Sequence, residues 1–186
     1  SSDVCSSDLM ARRLFFLALA VVLTAGFTPL VTAEQANVTS ARTNAEKSYR
    51  GGRYDEVASI AQAFPKDEQV AVWNALSIAA RGDYARAEST LQPFASANAG
   101  GDATLELGLL QLHVGRRPDA RRTLTLVLSA DVRNPAARDY LRAARASRAL
   151  NRIDDAQSYF KDAIGVAPSD PHVNAEWGDL FYDTHN

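Results

Sequence analysis

A glycine or asparagine followed five positions later by a small or branched residue returns four times along the chain: Gly52 to Val57, Gly82 to Ala87, Gly115 to Ala120 and Asn151 to Ala156. The second members are spaced by 30, 33 and 36 residues. A near-constant period of this length is the mark of a stacked repeat, because a single unit cannot bury its apolar side alone and must lean on its neighbours. The chain is therefore a scaffold first, and its chemistry must be sought on the surface the stack presents.

The units are helical. Alanine and leucine dominate, and apolar residues return at helical spacing, as in Leu105, Leu109 and Leu112 and then Leu124, Val127 and Leu128. Pro65, Pro93, Pro135, Pro168 and Pro171 punctuate the pattern, since proline lacks the amide hydrogen and biases the preceding residue out of the helical region. Helix pairs are expected at 37–50 with 53–64, 67–81 with 84–97, 102–114 with 117–130 and 135–150 with 153–166, followed by a single helix over 171–184. Gly52, Gly82 and Gly115 would end the first helix of each pair in a left-handed conformation, with Asn151 as the substitute. Ala87, Ala120 and Ala156 would sit where paired helices cross closely.

Ala156, Phe160, Ala163 and Pro168 fit an A-x3-F-x2-A-x4-P pattern, and Leu107-Gly108 and Trp177-Gly178 supply the Leu-Gly pair of a first helix. In these residues the chain resembles the tetratricopeptide repeats. The resemblance implies an all-α, right-handed α-α superhelix of about four helix pairs plus one unpaired helix. Repeats fall at 37–66, 67–99, 100–134 and 135–169, with a partial one at 170–186. The first repeat departs most, with Ala45 and Ser48 for glycine and an aromatic and a second helix cut short at Pro65, while Pro93 lies inside the second helix of the second. The partial last repeat suggests a fragment of a longer protein, with Trp177, Leu180 and Phe181 expected to be half covered.

The amino end has a different logic. Residues 1–9 carry no pattern and precede Met10, so they are set aside as an artefactual or disordered leader, and with them Cys5, the sole cysteine. Arg12 and Arg13, an uncharged stretch from Leu14 to Phe27 and small residues up to Ala33 make residues 10–33 a signal peptide, with cleavage after Ala33. That places residues 34–186 in the periplasm or outside the cell; the alternative is a membrane anchor over 14–31. Beyond an uncleaved signal segment, no membrane contact is expected.

No reacting constellation is legible: no Gly-x-Ser-x-Gly, no phosphate-binding glycine loop and no His-Glu-x-x-His. No catalytic activity, cofactor or metal is expected. His172, Glu176, Asp179 and Asp183 share one helix face, but one straight helix offers a metal few useful ligands, and an acidic solvated or partner-facing stripe is the better reading. Asn37-Val38-Thr39 matches a glycosylation acceptor, for which a bacterial export signal gives no use.

Charge is segregated. Residues 34–110 hold seven Lys/Arg against ten Asp/Glu, residues 111–153 ten Arg against three Asp, and residues 154–186 one Lys against seven acids. Within the middle block Arg138, Arg142, Arg145 and Arg148 lie along one helix face. By the resemblance they line a concave groove that binds peptides, and arginine's planar fork suits carboxylates. Asp102, Glu106, Glu176 and Asp179 occupy the matching positions of neighbouring first helices, so an internal ion-pair network stands beside the anion-accepting groove as an equal reading. Trp73, Leu76, Leu109 and Leu112 are the expected apolar groove contacts. The expected partner is a protein or peptide of acidic character, with neither nucleic acid nor a small-molecule substrate. Two alternatives remain: the substrate-presenting arm of a larger exported hydrolase, and a structural assembly factor at the outer membrane.

Overall fold

A computed structural model of the chain describes residues 28–185, and side chains within 35–182. The leader, most of the signal segment and Cys5 lie outside the described residues. The chain divides into two compact units, residues 1–41 and residues 42–186; the first contributes only the opening of helix α1, where Thr39 donates to the Gln35 carbonyl at 3.0 Å.

Among the described residues the structure is all helix: α1 (Thr28–Arg50), α2 (Tyr54–Ala63), α3 (Glu68–Ala80), α4 (Tyr84–Ala97), α5 (Asp102–His113), α6 (Arg117–Ser129), α7 (Ala137–Ala149), α8 (Ile153–Val166) and α9 (Pro171–His185). The pairs α1/α2, α3/α4, α5/α6 and α7/α8, with α9 left over, are those the repeat period predicts. The first differs in its start. Helix α1 begins at Thr28 rather than at 37 and runs through the expected cleavage point at Ala33. From Pro29 onward it contains no glycine or further proline, and Pro29 lies in the first turn, where the missing amide costs nothing.

Each pair turns on the same device. Gly52, Gly82 and Gly115 have φ of 70°, 86° and 82°, and Asn151 has 59°. At Gly115 the amide bonds back to the Leu112 carbonyl at 3.0 Å and the next amide, of Arg116, to Gln111 at 2.8 Å. At Asn151 the same two bonds run to Arg148 (2.9 Å) and from Arg152 to Ser147 (2.8 Å). This is the Schellman closure, which satisfies the last carbonyls of a helix and needs a residue tolerant of positive φ. Asn134, φ 55°, makes a further left-handed turn between pairs that the period did not reveal.

Five residues on, the crossing positions Val57, Ala87, Ala120 and Ala156 are each fully buried. Side chains interleave around them. Leu91, Ala87 and Val72 meet Ala103 and Leu107 of the next pair, Leu124 and Val127 meet Leu105 and Ala146, and Phe160 and Ala156 meet Ala144 and Leu180. Ala163 packs with Ala137 and Val173. The first two of these clusters each span two pairs and the other two join the fourth pair to the unpaired α9, so packing runs from the second pair through to α9. Pro93 does not break α4; the carbonyl it leaves without a helical partner belongs to Ser89, on the exposed side.

The tight approach of α5 to α6 depends on Gly108, where an added Cβ would lie 2.6 Å from Leu124 Cδ2. Gly178, its counterpart on α9, would meet nothing within 4 Å. On the same helix Leu180 is buried, against the expectation of half coverage, because it reaches back onto Phe160 and Ala156 of α8. Phe181 is 43% exposed, and the half-buried Trp177 stacks on it at 5.4 Å with its indole Nε1 buried and without a hydrogen-bond acceptor.

Candidate interaction face

First helices of successive pairs touch, α3 against α5, α5 against α7 and α7 against α9. They form the face on which the sequence places its candidate site. Helix starts are fixed by carboxylates from neighbouring pairs as well as from their own turns. Asp67 caps α3 by accepting from the Val70 amide at 3.0 Å, and Arg42 of α1 holds the same carboxylate through Nη2 at 2.8 Å. Glu68 reaches across to accept from the Ala103 amide at 2.9 Å, supplying the N-cap that Gly101 lacks.

The arginine row lies inside this system. Arg138 Nη2 is 2.6 Å from Asp102 Oδ2, and Arg142 Nη1 is 3.2 Å from the other oxygen of the same carboxylate. Arg142 also pairs with Asp139 on its own helix. Arg145 Nη1 is 2.8 Å from Glu106 Oε1 and its Nε 3.6 Å from Glu176, which Arg148 approaches at 4.0 Å. The row thus bridges α5 to α7 and α7 to α9 with alternating charge. Asp102 already occupies the two-arginine clamp that a ligand carboxylate would use. Asp179, grouped with these acids in the sequence, is exposed and takes no part.

Burial decides what each pair means. Side-chain exposures fall from 51% at Arg138 to 16% at Arg142, with Asp102 at 17% and Glu106 at 10%. Burial pushes the Glu106 carboxyl up from its ordinary value, and Arg145 opposes this only in part. Burial acts to lower Arg145, but Glu106 and Glu176 outweigh it and its pKa is raised, so the guanidinium stays charged. Asp67 also suffers desolvation, yet its bonds from Arg42 and Val70 hold it below the usual aspartate range.

Of the expected apolar contacts, Trp73 stays half-buried and stacks on Tyr49 at 5.3 Å, with Tyr54 beyond at 6.0 Å from Tyr49. Leu76 packs onto the core of the second and third pairs, and Leu109 and Leu112 onto that of the third and fourth. A first helix inside the stack is sandwiched between its own partner, the preceding second helix and the next first helix, so these half-buried leucines contribute to packing. The Tyr49–Trp73 contact joins two pairs, and its aromatic residues recur at no fixed spacing, so no sign of it is visible in the sequence.

His172 Nε2 lies 3.9 Å from Glu46 and Glu176 is engaged by arginines, so this stripe does not converge as a ligand set. The Asp183 side chain lies outside the described residues. Among the described residues no group of three or more His, Cys, Asp or Glu side chains could hold a metal ion, and no helix is long and apolar enough to cross a membrane.

No family model and no curated protein matches the chain. Among solved structures it is similar to residues 41 to the end of MamA from Desulfovibrio magneticus RS-1, at 18% identity and a TM-score of 0.43, covering 79% of this chain and 85% of that one. A thermophilic TPR protein of Thermus thermophilus is 16% identical at a TM-score of 0.41, with 77% and 98% covered. A tetratricopeptide repeat protein of Parabacteroides merdae is 18% identical at 0.47, with 88% of this chain and 62% of that one covered.

Proposed function

We propose that this tetratricopeptide-like stack is a non-catalytic protein-interaction scaffold that receives a partner segment along the face of its first helices. The supporting observation is Arg138. It is half exposed while touching Asp102, so an acidic group of a partner can reach it without dismantling the better-buried Arg142–Asp102 pair. Trp73 and Tyr49 offer a flat apolar contact on first helices α1 and α3. We argue acidic character in the partner from Arg138, the most exposed member of the row. It does not follow from the row as a whole, whose other members are compensated within the fold.

The test is a peptide array probed with the full chain at low and moderate salt. Acidic peptides should be retained at low salt and weakened by Arg138→Glu, by about fivefold or more for the loss of one exposed charge pair and its reversal. Equal retention by the variant, or no retained peptide, would remove the reading. We place the protein in the periplasm or outside the cell on the strength of residues 10–33; amino-terminal sequencing of exported material should begin at Glu34, and a start at Met10 in the membrane fraction would favour the anchor.

A further inference from the structure

A crevice of about 180 Å³ opens at the seam of the first and second helix pairs, and none of its lining residues belongs to the arginine row. Tyr54 and Ala58 of α2 and Ile78 of α3 give it apolar walls, and Arg81 and Arg86 stand among its lining residues. The Arg81 guanidinium lies over the Tyr54 ring, 5.5 Å from its centroid. Its other partner, Asp55, is 92% exposed at 2.7 Å, and such a pair exchanges readily with a competing anion. Arg86 is exposed and has no ion pair among the described residues. The one acid in the lining, Asp83, accepts the Arg86 amide at 3.1 Å as the cap of α4. The site therefore combines two accessible cations with the apolar walls of Tyr54, Ala58 and Ile78, Asn74 and Ser77 completing the lining.

Size narrows the occupant. Sites for drug-sized molecules run from roughly 300 to 1,000 Å³, so this crevice suits one side chain and not a cofactor. We propose that it docks an acidic segment of a partner protein, seating one aromatic or branched side chain between Tyr54, Ala58 and Ile78 while adjacent carboxylates meet Arg86 and Arg81. The inference rests on the scaffold reading but assigns contact to a different surface, on α2, α3 and α4.

Fluorescence anisotropy of the full chain with three labelled peptides in identical Gly-Ser flanks tests it: one with an Asp-Phe-Asp centre, one with Lys-Phe-Lys, one with Asp-Ala-Asp. At moderate salt, where a contact made through Arg138 alone is weakened, only the first should bind well. Arg86→Glu should weaken it about tenfold, since an exposed attraction is both lost and reversed, and Ala58→Phe should abolish it by filling the crevice. Helix content and melting of each variant are read in parallel. Should Ala58→Phe fail to fold, Arg86→Glu, on an exposed side chain, still decides. Arg121→Ala, on an exposed cation of α6 that lies in neither surface, should leave this binding intact. Failure of the Asp-Phe-Asp peptide to bind, equal binding of the Lys-Phe-Lys peptide, or indifference to Arg86→Glu would overturn the crevice. Loss with Arg138→Ala but not with Arg86→Glu would overturn it too, while leaving the scaffold reading standing on the first-helix face.

Discussion

At Ala87 the smallest side chain with a Cβ is fully buried between α3 and α4, while Ala85, two residues earlier in the same helix, is exposed. Ala87→Leu should therefore cost about 1 to 3 kcal/mol through overpacking, and Ala85→Leu should stay within about 0.5 kcal/mol of the parent; urea titrations of the two variants check this. Small residues at a regular period made this position legible without any structure. The state of Asp67 was not legible, because its partner Arg42 lies on another helix 25 residues away. Its depressed folded pKa means that its contribution is present above the ordinary aspartate value of about 3.8 and is lost as pH falls through the lower folded value. In Arg42→Ala that acid-side loss should shrink, as judged by stability measured from pH 5 down to pH 2.

Helices α5 and α9 carry the same Leu/Trp-Gly signature in different surroundings. Gly108→Ala would push a methyl group into Leu124 and should destabilise by about 1 to 3 kcal/mol. Gly178→Ala meets open space and should stabilise by about 0.5 to 1 kcal/mol, the gain expected when a helical glycine becomes alanine. Opposite shifts in thermal midpoint are the readout. Helix ends were readable because turn chemistry is local: a glycine or asparagine two residues past a helix is visible in the sequence itself. Two features escaped for opposite reasons. The early start of α1 rests on residues that the export pattern claims for another purpose, and the cap that Glu68 lends to α5 spans 35 residues, with no local sign at Gly101 beyond the missing side chain.

Across the whole molecule, charged side chains tie one helix pair to the next, from Arg42 and Asp67 through Glu68 and the Ala103 amide to the row on α7. The sequence placed the row on one helix face and the acids of the neighbouring first helices at matching positions, yet it could not say whether a row of arginines awaits a ligand or serves its neighbours, since spacing along one helix carries no information about distance to the next. The structure pairs them. Their energetic weight should follow burial. Arg138→Ala removes a half-exposed partner and should cost about 0 to 1 kcal/mol, whereas Arg145→Ala strands the buried Glu106 and should cost about 3 to 5 kcal/mol. The most direct test of the internal role is a double-mutant cycle of Arg145→Ala and Glu106→Gln, measured by urea unfolding at neutral pH. A favourable coupling within the range of about 0.5 to 3 kcal/mol found for contacting pairs is expected; strictly additive effects would show that Arg145 and Glu106 do not hold the stack together and would contradict the charged row as a structural tie.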